Sequence, residues 1–90
     1  MIGSLRGEAL DVDRLGGELL IEVNNVGYRV QVAPTLAISI APGEQAFVHI
    51  HHHVREDAEV IYGFATIDER RVFEALISAH GVGPALGLAM

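Results

Sequence analysis

The chain contains neither cysteine nor lysine. Without cysteine there are no disulfides and no thiolate metal sites, a composition that fits a reducing compartment. Without lysine, all fixed positive charge rests on six arginines, and twelve acidic residues bring the net charge to −6. A nucleic-acid binder is expected to be basic, at least in patches, so composition taken alone argues against DNA. No nucleotide-binding P-loop occurs, and no serine sits in a nucleophile-elbow context. No apolar run is long enough to cross a bilayer, and the N-terminus lacks the basic flank and apolar core of a signal peptide. The expected location is therefore cytoplasmic. There is no internal repeat and no low-complexity linker.

What is present is a short, apolar-rich chain of 90 residues, half of them hydrophobic. That composition supports one compact domain, or one small domain and an incomplete second. The acidic excess lies early. Residues 1–64 hold nine acidic residues and four arginines, whereas the remainder carries a balance of only −1. Any contact with DNA is expected in the C-terminal part.

Alternation of apolar and polar residues predicts five strands. Met1 to Leu10 reads as the first, with Gly3 and Gly7 as places where a sheet can bend sharply. Asp11 to Gly17 is turn-like. In Glu18 to Val23, Leu19, Ile21 and Val23 share a face, and after the turn Asn24-Asn25-Val26-Gly27 the residues Tyr28, Val30 and Val32 alternate again. Pro34 ends that hairpin. Thr35 to Ile40 fits either a short helix or an ordered loop, and Pro42-Gly43 is a turn. Gln45 to Arg55 is the fourth strand, with Val48, Ile50, His52 and Val54 on one face and Phe47, His49, His51, His53 and Arg55 on the other. The charged tip Arg55-Glu56-Asp57-Ala58 leads into a fifth strand through Val60, Tyr62 and Phe64. Five short strands with glycine bends fit a small Greek-key barrel of the OB type, a split barrel and a plain sandwich being the alternatives.

Residues 65–90 change period. Val72, Phe73, Leu76 and Ile77 make an apolar helical stripe, with Glu69, Arg70, Glu74 and Ser78 mostly opposite. Thr66 followed by Glu69 is a capping-box pattern that starts the helix, which is expected to run to Ala79 or His80. Gly81-Val82-Gly83-Pro84 then turns the chain into a second helix bearing Leu86, Ala89 and Met90. This helix, hairpin, helix pattern resembles the helix-hairpin-helix motif, whose backbone N–H groups and second helix N-terminus face a phosphate. A Gly-Pro turn between two core helices explains the same residues.

The histidines carry little chemistry by spacing alone. His49, His51 and His53 project from one strand face about 7 Å apart, and in-line ligands on a flat strand seldom converge on one ion, so no metal and no cofactor are expected. A metal-dependent hydrolase built on that strand is the weakest reading. His52 is expected to be buried and hydrogen-bonded. Glu56 and Asp57 are adjacent, so their side chains diverge, unlike a general acid and base pair.

The order and spacing of several short motifs point further: Met1-Ile2-Gly3, Arg6-Gly7-Glu8, V-G-Y-R-V from Val26 to Val30, V-R-E-D-A from Val54 to Ala58, Y-G-F from Tyr62 to Phe64, then Phe73, Leu76 and G-V-G-P. Together they resemble the RuvA family of Holliday junction branch-migration subunits across essentially the whole chain. The resemblance implies a non-catalytic DNA-binding subunit of recombination, repair and the SOS response. Such proteins form homotetramers, hold a four-way DNA junction open, and recruit the RuvB ATPase, with the RuvC resolvase as a further partner. It implies an OB-type barrel over residues 1–64 as tetramer core, followed by the start of a helix-hairpin-helix domain over 65–90. His80, Gly81, Val82 and Gly83 match the family's first phosphate-binding turn, and Glu56 and Asp57, with Arg55, match an acidic pin at the junction centre. Ala85 stands where relatives carry a basic residue. Family members continue with a second motif and a domain that binds RuvB, so the chain is expected to be a fragment or naturally shortened. The rival reading is an assembly module with little DNA binding.

Overall fold

The computed structural model describes residues 1–78 and residue 88. Five strands, β1 (Ser4–Asp13), β2 (Glu18–Val23), β3 (Val26–Val32), β4 (Gln45–Val54) and β5 (Glu59–Phe64), close into one barrel in the order β1-β2-β3-β5-β4. Neighbours run antiparallel except β3 and β5, which pair in parallel from Val30↔Ile61 to Val32↔Gly63. Closure pairs Leu5 of β1 with Val48 of β4 and leaves no long sheet edge. This is the barrel expected from the strand pattern.

β1 serves two partners, β4 through Ser4–Glu8 and β2 through Glu8–Asp13, and therefore has to bend. At Gly7 a side chain would collide with the backbone carbonyl of Glu22, so only glycine lets the strands approach there. A bulge between Ala9 and Asp11 leaves Leu10 unpaired, 41% exposed, and restores inward alternation at Val12, which pairs with Leu19. The expected turn at Asp11 is thus corrected: pairing carries the strand to Asp13. The following turn closes with Gly16 N–H donating to Asp13 Oδ1 (2.8 Å) and Gly17 at φ 68°.

β2 and β3 are joined by Asn24 and Asn25 alone, at φ 49° and 68°, the left-handed pair that a two-residue hairpin requires. Val26 and Gly27 belong to the strand, since Val26 pairs with Val23. The undecided segment is a helix, α1 (Pro34–Ser39), with Pro34 in its first turn; Ala37 and Ile40 are buried in the barrel core. The interior is otherwise Leu5, Ala9, Leu19, Ile21, Val30, Val32, Val48 and Ile50.

Helix α2 (Ile67–Ser78) packs on the outside of β4 and β5. Thr66 Oγ1 accepts from the Glu69 N–H at 3.1 Å, so the helix starts where its cap predicts. Its inward face keeps most of the expected stripe, with Phe73 buried and Leu76 and Ile77 half-buried, but Arg70 and Glu74 are half-buried as well and Val72 is 59% exposed. The barrel wall beneath presents polar rings, His51 and Tyr62, as well as Phe64, so the face that docks is mixed. Leu88 lines an apolar groove with Phe64, Val72, Phe73 and Leu76.

Candidate nucleic-acid interface

The β4–β5 hairpin ends in a four-residue tip, closed by the Arg55 N–H donating to the Ala58 carbonyl at 2.8 Å. Arg55, Glu56 and Asp57 are all exposed, and among the described residues neither carboxylate takes part in an ion pair. Two solvent-exposed carboxylates therefore stand on the β4–β5 hairpin at one end of the barrel. Like charge repels like at such a tip, and among the described residues no ion-pair partner stands beside it.

Below the tip, His52 turns inward on the same face as Val48 and Ile50. Its Nδ1 accepts from the Ile2 N–H at 3.4 Å, and its Nε2 lies 3.9 Å from Glu59 Oε2. The expectation of a hydrogen-bonded His52 holds, with the side chain 14% exposed rather than sealed. It borders a cleft of about 430 Å³ where β3 and β5 splay apart. Across that cleft Glu18 accepts from Arg29 Nε (3.0 Å) and Gln31 Nε2 (3.1 Å), and the hydrogen bond from Arg29 raises that guanidinium's pKa further.

His49, His51 and His53 lie on the outer face of the barrel wall, half-buried. His51 and His53 lie 5.7 Å apart between ring centroids, and Phe47 and His49 meet edge-on at 5.0 Å. Arg6 stacks over Phe47 at 4.6 Å, which occupies one arginine on the barrel wall. Among the described residues no cluster of three or more His, Asp or Glu side chains is arranged to hold a metal ion. His51 Nδ1 instead meets Glu74 Oε2 of α2 at 2.8 Å, a contact absent from the sequence reading because the helical pattern puts Glu74 on the solvent side. Tyr62, beside it, is pushed above its ordinary pKa by burial, with Arg55 pulling weakly the other way.

The predicted phosphate-binding residues His80, Gly81, Val82 and Gly83, and Ala85 after them, lie outside the described residues. No described helix is long and apolar enough to cross a membrane.

Comparison with known proteins bears on the chain as a whole. A family model described as RuvA N terminal domain matches residues 1–63. The Holliday junction branch migration complex subunit RuvA of Aliivibrio salmonicida (strain LFI1238) is 48% identical over 91 residues, covering 100% of this chain and 43% of the relative. The proteins of the same name from Vibrio vulnificus (strain YJ016) and Vibrio cholerae serotype O1 (strain ATCC 39541) are 48% and 47% identical, again over 100% of this chain and 44% of each relative. The chain thus spans less than half the length of these curated relatives. The matched region contains the barrel, the acidic tip and its Val54-to-Ala58 sequence, and on that basis the chain belongs to the RuvA family.

Proposed function

We propose that the chain is the junction-holding part of a non-enzymatic subunit that binds four-way DNA junctions as a homotetramer. In this reading residues 1–64 form the tetramer core and residues 65–90 begin a helix-hairpin-helix domain. Within the turn formed by His80, Gly81, Val82 and Gly83, backbone donors at Gly81 and Gly83 contact phosphate without reading a base. ATP hydrolysis and strand movement belong to a RuvB-type motor recruited through parts of the protein outside this chain, and a RuvC-type resolvase acts on the same junction.

The observation that carries the reading is the exposed acidic tip at Glu56 and Asp57 in a chain of this family. Four tips brought together place eight carboxylates at the centre of the assembly. One carboxylate and one phosphate about 6 Å apart repel by roughly 0.7 kcal/mol in bulk water and about 3 kcal/mol at a partly desolvated surface. Salt reduces both figures. Summed over several pairs, this repulsion keeps a continuous duplex from the centre, whereas a junction opens there and avoids it. The acidic net charge then serves selectivity.

The test replaces the tip charges, Glu56→Gln with Asp57→Asn, in the protein that carries its C-terminal DNA-binding parts. Competitive binding of linear duplex and four-way junction at fixed low salt should show duplex affinity rising more than junction affinity. Equal changes for both DNAs refute the pin. The acidic composition favours one second reading, an assembly module with little DNA binding, which predicts no measurable binding before or after the substitution.

A further inference from the structure

α2 is held on the barrel by a patch of rings and one polar contact. Phe73 meets Phe64, Tyr62 and His51 at centroid distances of 4.9, 5.2 and 5.5 Å. Ring contacts of this kind hold the helix mainly by buried area and orient it only weakly, their preferred edge or offset geometry adding about 0.5–1.5 kcal/mol per pair. The next residue, Glu74, supplies direction. Its Oε2 is 2.8 Å from His51 Nδ1, and its Oε1 is 3.7 Å from the buried Nε of Arg70. A carboxylate only accepts, so His51 donates from Nδ1. Among the described residues this is the single side-chain hydrogen bond between α2 and the strands. Glu74 is 40% exposed and His51 20%, so the bond is partly shielded from water.

β4 carries both His51 and, beyond its end, the acidic tip. Glu56 lies two residues beyond the end of β4 at Val54, and the strand that carries His51 is locked into a closed barrel. Whatever fixes α2 to His51 therefore fixes it relative to the tip. We propose that His51 and Glu74 are a positioning pair that sets the orientation of α2 relative to Glu56 and Asp57, and so helps determine selectivity for a junction over a duplex. This rests on the function proposed above: a DNA arm gripped after α2 meets the tip carboxylates only if α2 holds one orientation. With the pair broken, α2 swivels on its rings, a duplex is gripped without approaching the tip, and discrimination falls although the tip is intact.

The test is a double-mutant cycle with two readouts. His51→Phe keeps a ring against Phe73 and removes the donor, Glu74→Ala removes the acceptor, and Glu74→Gln keeps a neutral acceptor as the conservative rescue. Amide exchange of α2 reports docking without DNA, and the junction-to-duplex affinity ratio reports selectivity. Each single loss should speed α2 exchange about fivefold, the scale of one half-shielded charge-assisted hydrogen bond. The double variant should be no faster than either single one, Glu74→Gln should recover most of the protection, and the affinity ratio should drop with docking. Multiplying effects in the double variant, or unchanged exchange in Glu74→Ala, overturn the pair. Coupled exchange with an unchanged affinity ratio overturns its role in selectivity. If the unaltered protein shows no junction preference, the functional reading fails and the selectivity role with it, while the exchange cycle still decides whether the pair holds the helix.

Discussion

Replacing Phe73 with alanine should undock α2 while leaving the barrel closed. The ring is 2% exposed and packs outside the strands, against Phe64, Tyr62 and His51, apart from the cluster that fills the barrel. An aromatic side chain buries about 150–250 Å². At about 25 cal/mol per Å² its removal costs about 4–6 kcal/mol as an upper bound. Residual burial in the unfolded chain trims this to about 2–5 kcal/mol, overlapping the range of roughly 3–5 kcal/mol for a Phe-to-Ala change in a core. A helix of 12 residues is marginal in isolation, so once undocked α2 should unfold. Urea titration followed by helical circular dichroism and by α2 amide exchange should show the helix lost well before the barrel amides open. Coincident loss at every probe would place Phe73 in one cooperative core with the strands and refute the separation. A total loss below about 1 kcal/mol would refute the burial argument itself.

Three further outcomes are expected. Gly7→Ala should lower stability by about 2–3 kcal/mol or more, since its methyl group would collide with the Glu22 carbonyl where β1 bends; an unchanged urea midpoint would show that the corner relaxes. Thr66→Ala should cost about 1 kcal/mol by removing the 3.1 Å bond to the Glu69 N–H, read as earlier fraying of α2 in amide exchange. Burial keeps the Tyr62 phenol protonated in the folded state, whereas the unfolded chain releases that proton near the ordinary value of 10.0. Stability should therefore be intact below pH 10 and fall as pH rises above it, and Tyr62→Phe should flatten that alkaline decline in thermal melts.

Elements governed by residues close together in the chain were legible in advance. β2 and β3 follow from strict alternation on either side of Asn24-Asn25, a pair that tolerates positive φ. The start of α2 follows from Thr66 and Glu69. α1 was undecidable because six residues make fewer than two turns, too few for a period to show, and its helix is completed by Ala37 and Ile40 entering the barrel. The end of β1 was misread because Asp11 and Asp13 look turn-like, yet the bulge at Leu10 points both outward and lets Val12 pack inward. Phe73, Leu76 and Ile77 turn inward as their spacing implies, whereas the half-burial of Arg70 and Glu74 is not legible, for a related reason. Apolar periodicity assumes an apolar wall, and the wall at this place includes His51.

The five-strand alternation, the capped helix, the acidic tip and, through the order and spacing of short motifs, the family can all be read from the residues in order. All of these are carried by residues within a few positions of one another or by their linear order. Closure of β1 against β4, the bond from the Ile2 backbone to His52, and the meeting of Glu74 with His51 from 23 residues away emerge only once the chain is folded. Such contacts depend on where distant segments come to lie, and a half-buried carboxylate on a helix looks like a solvated one until its donor is brought beside it.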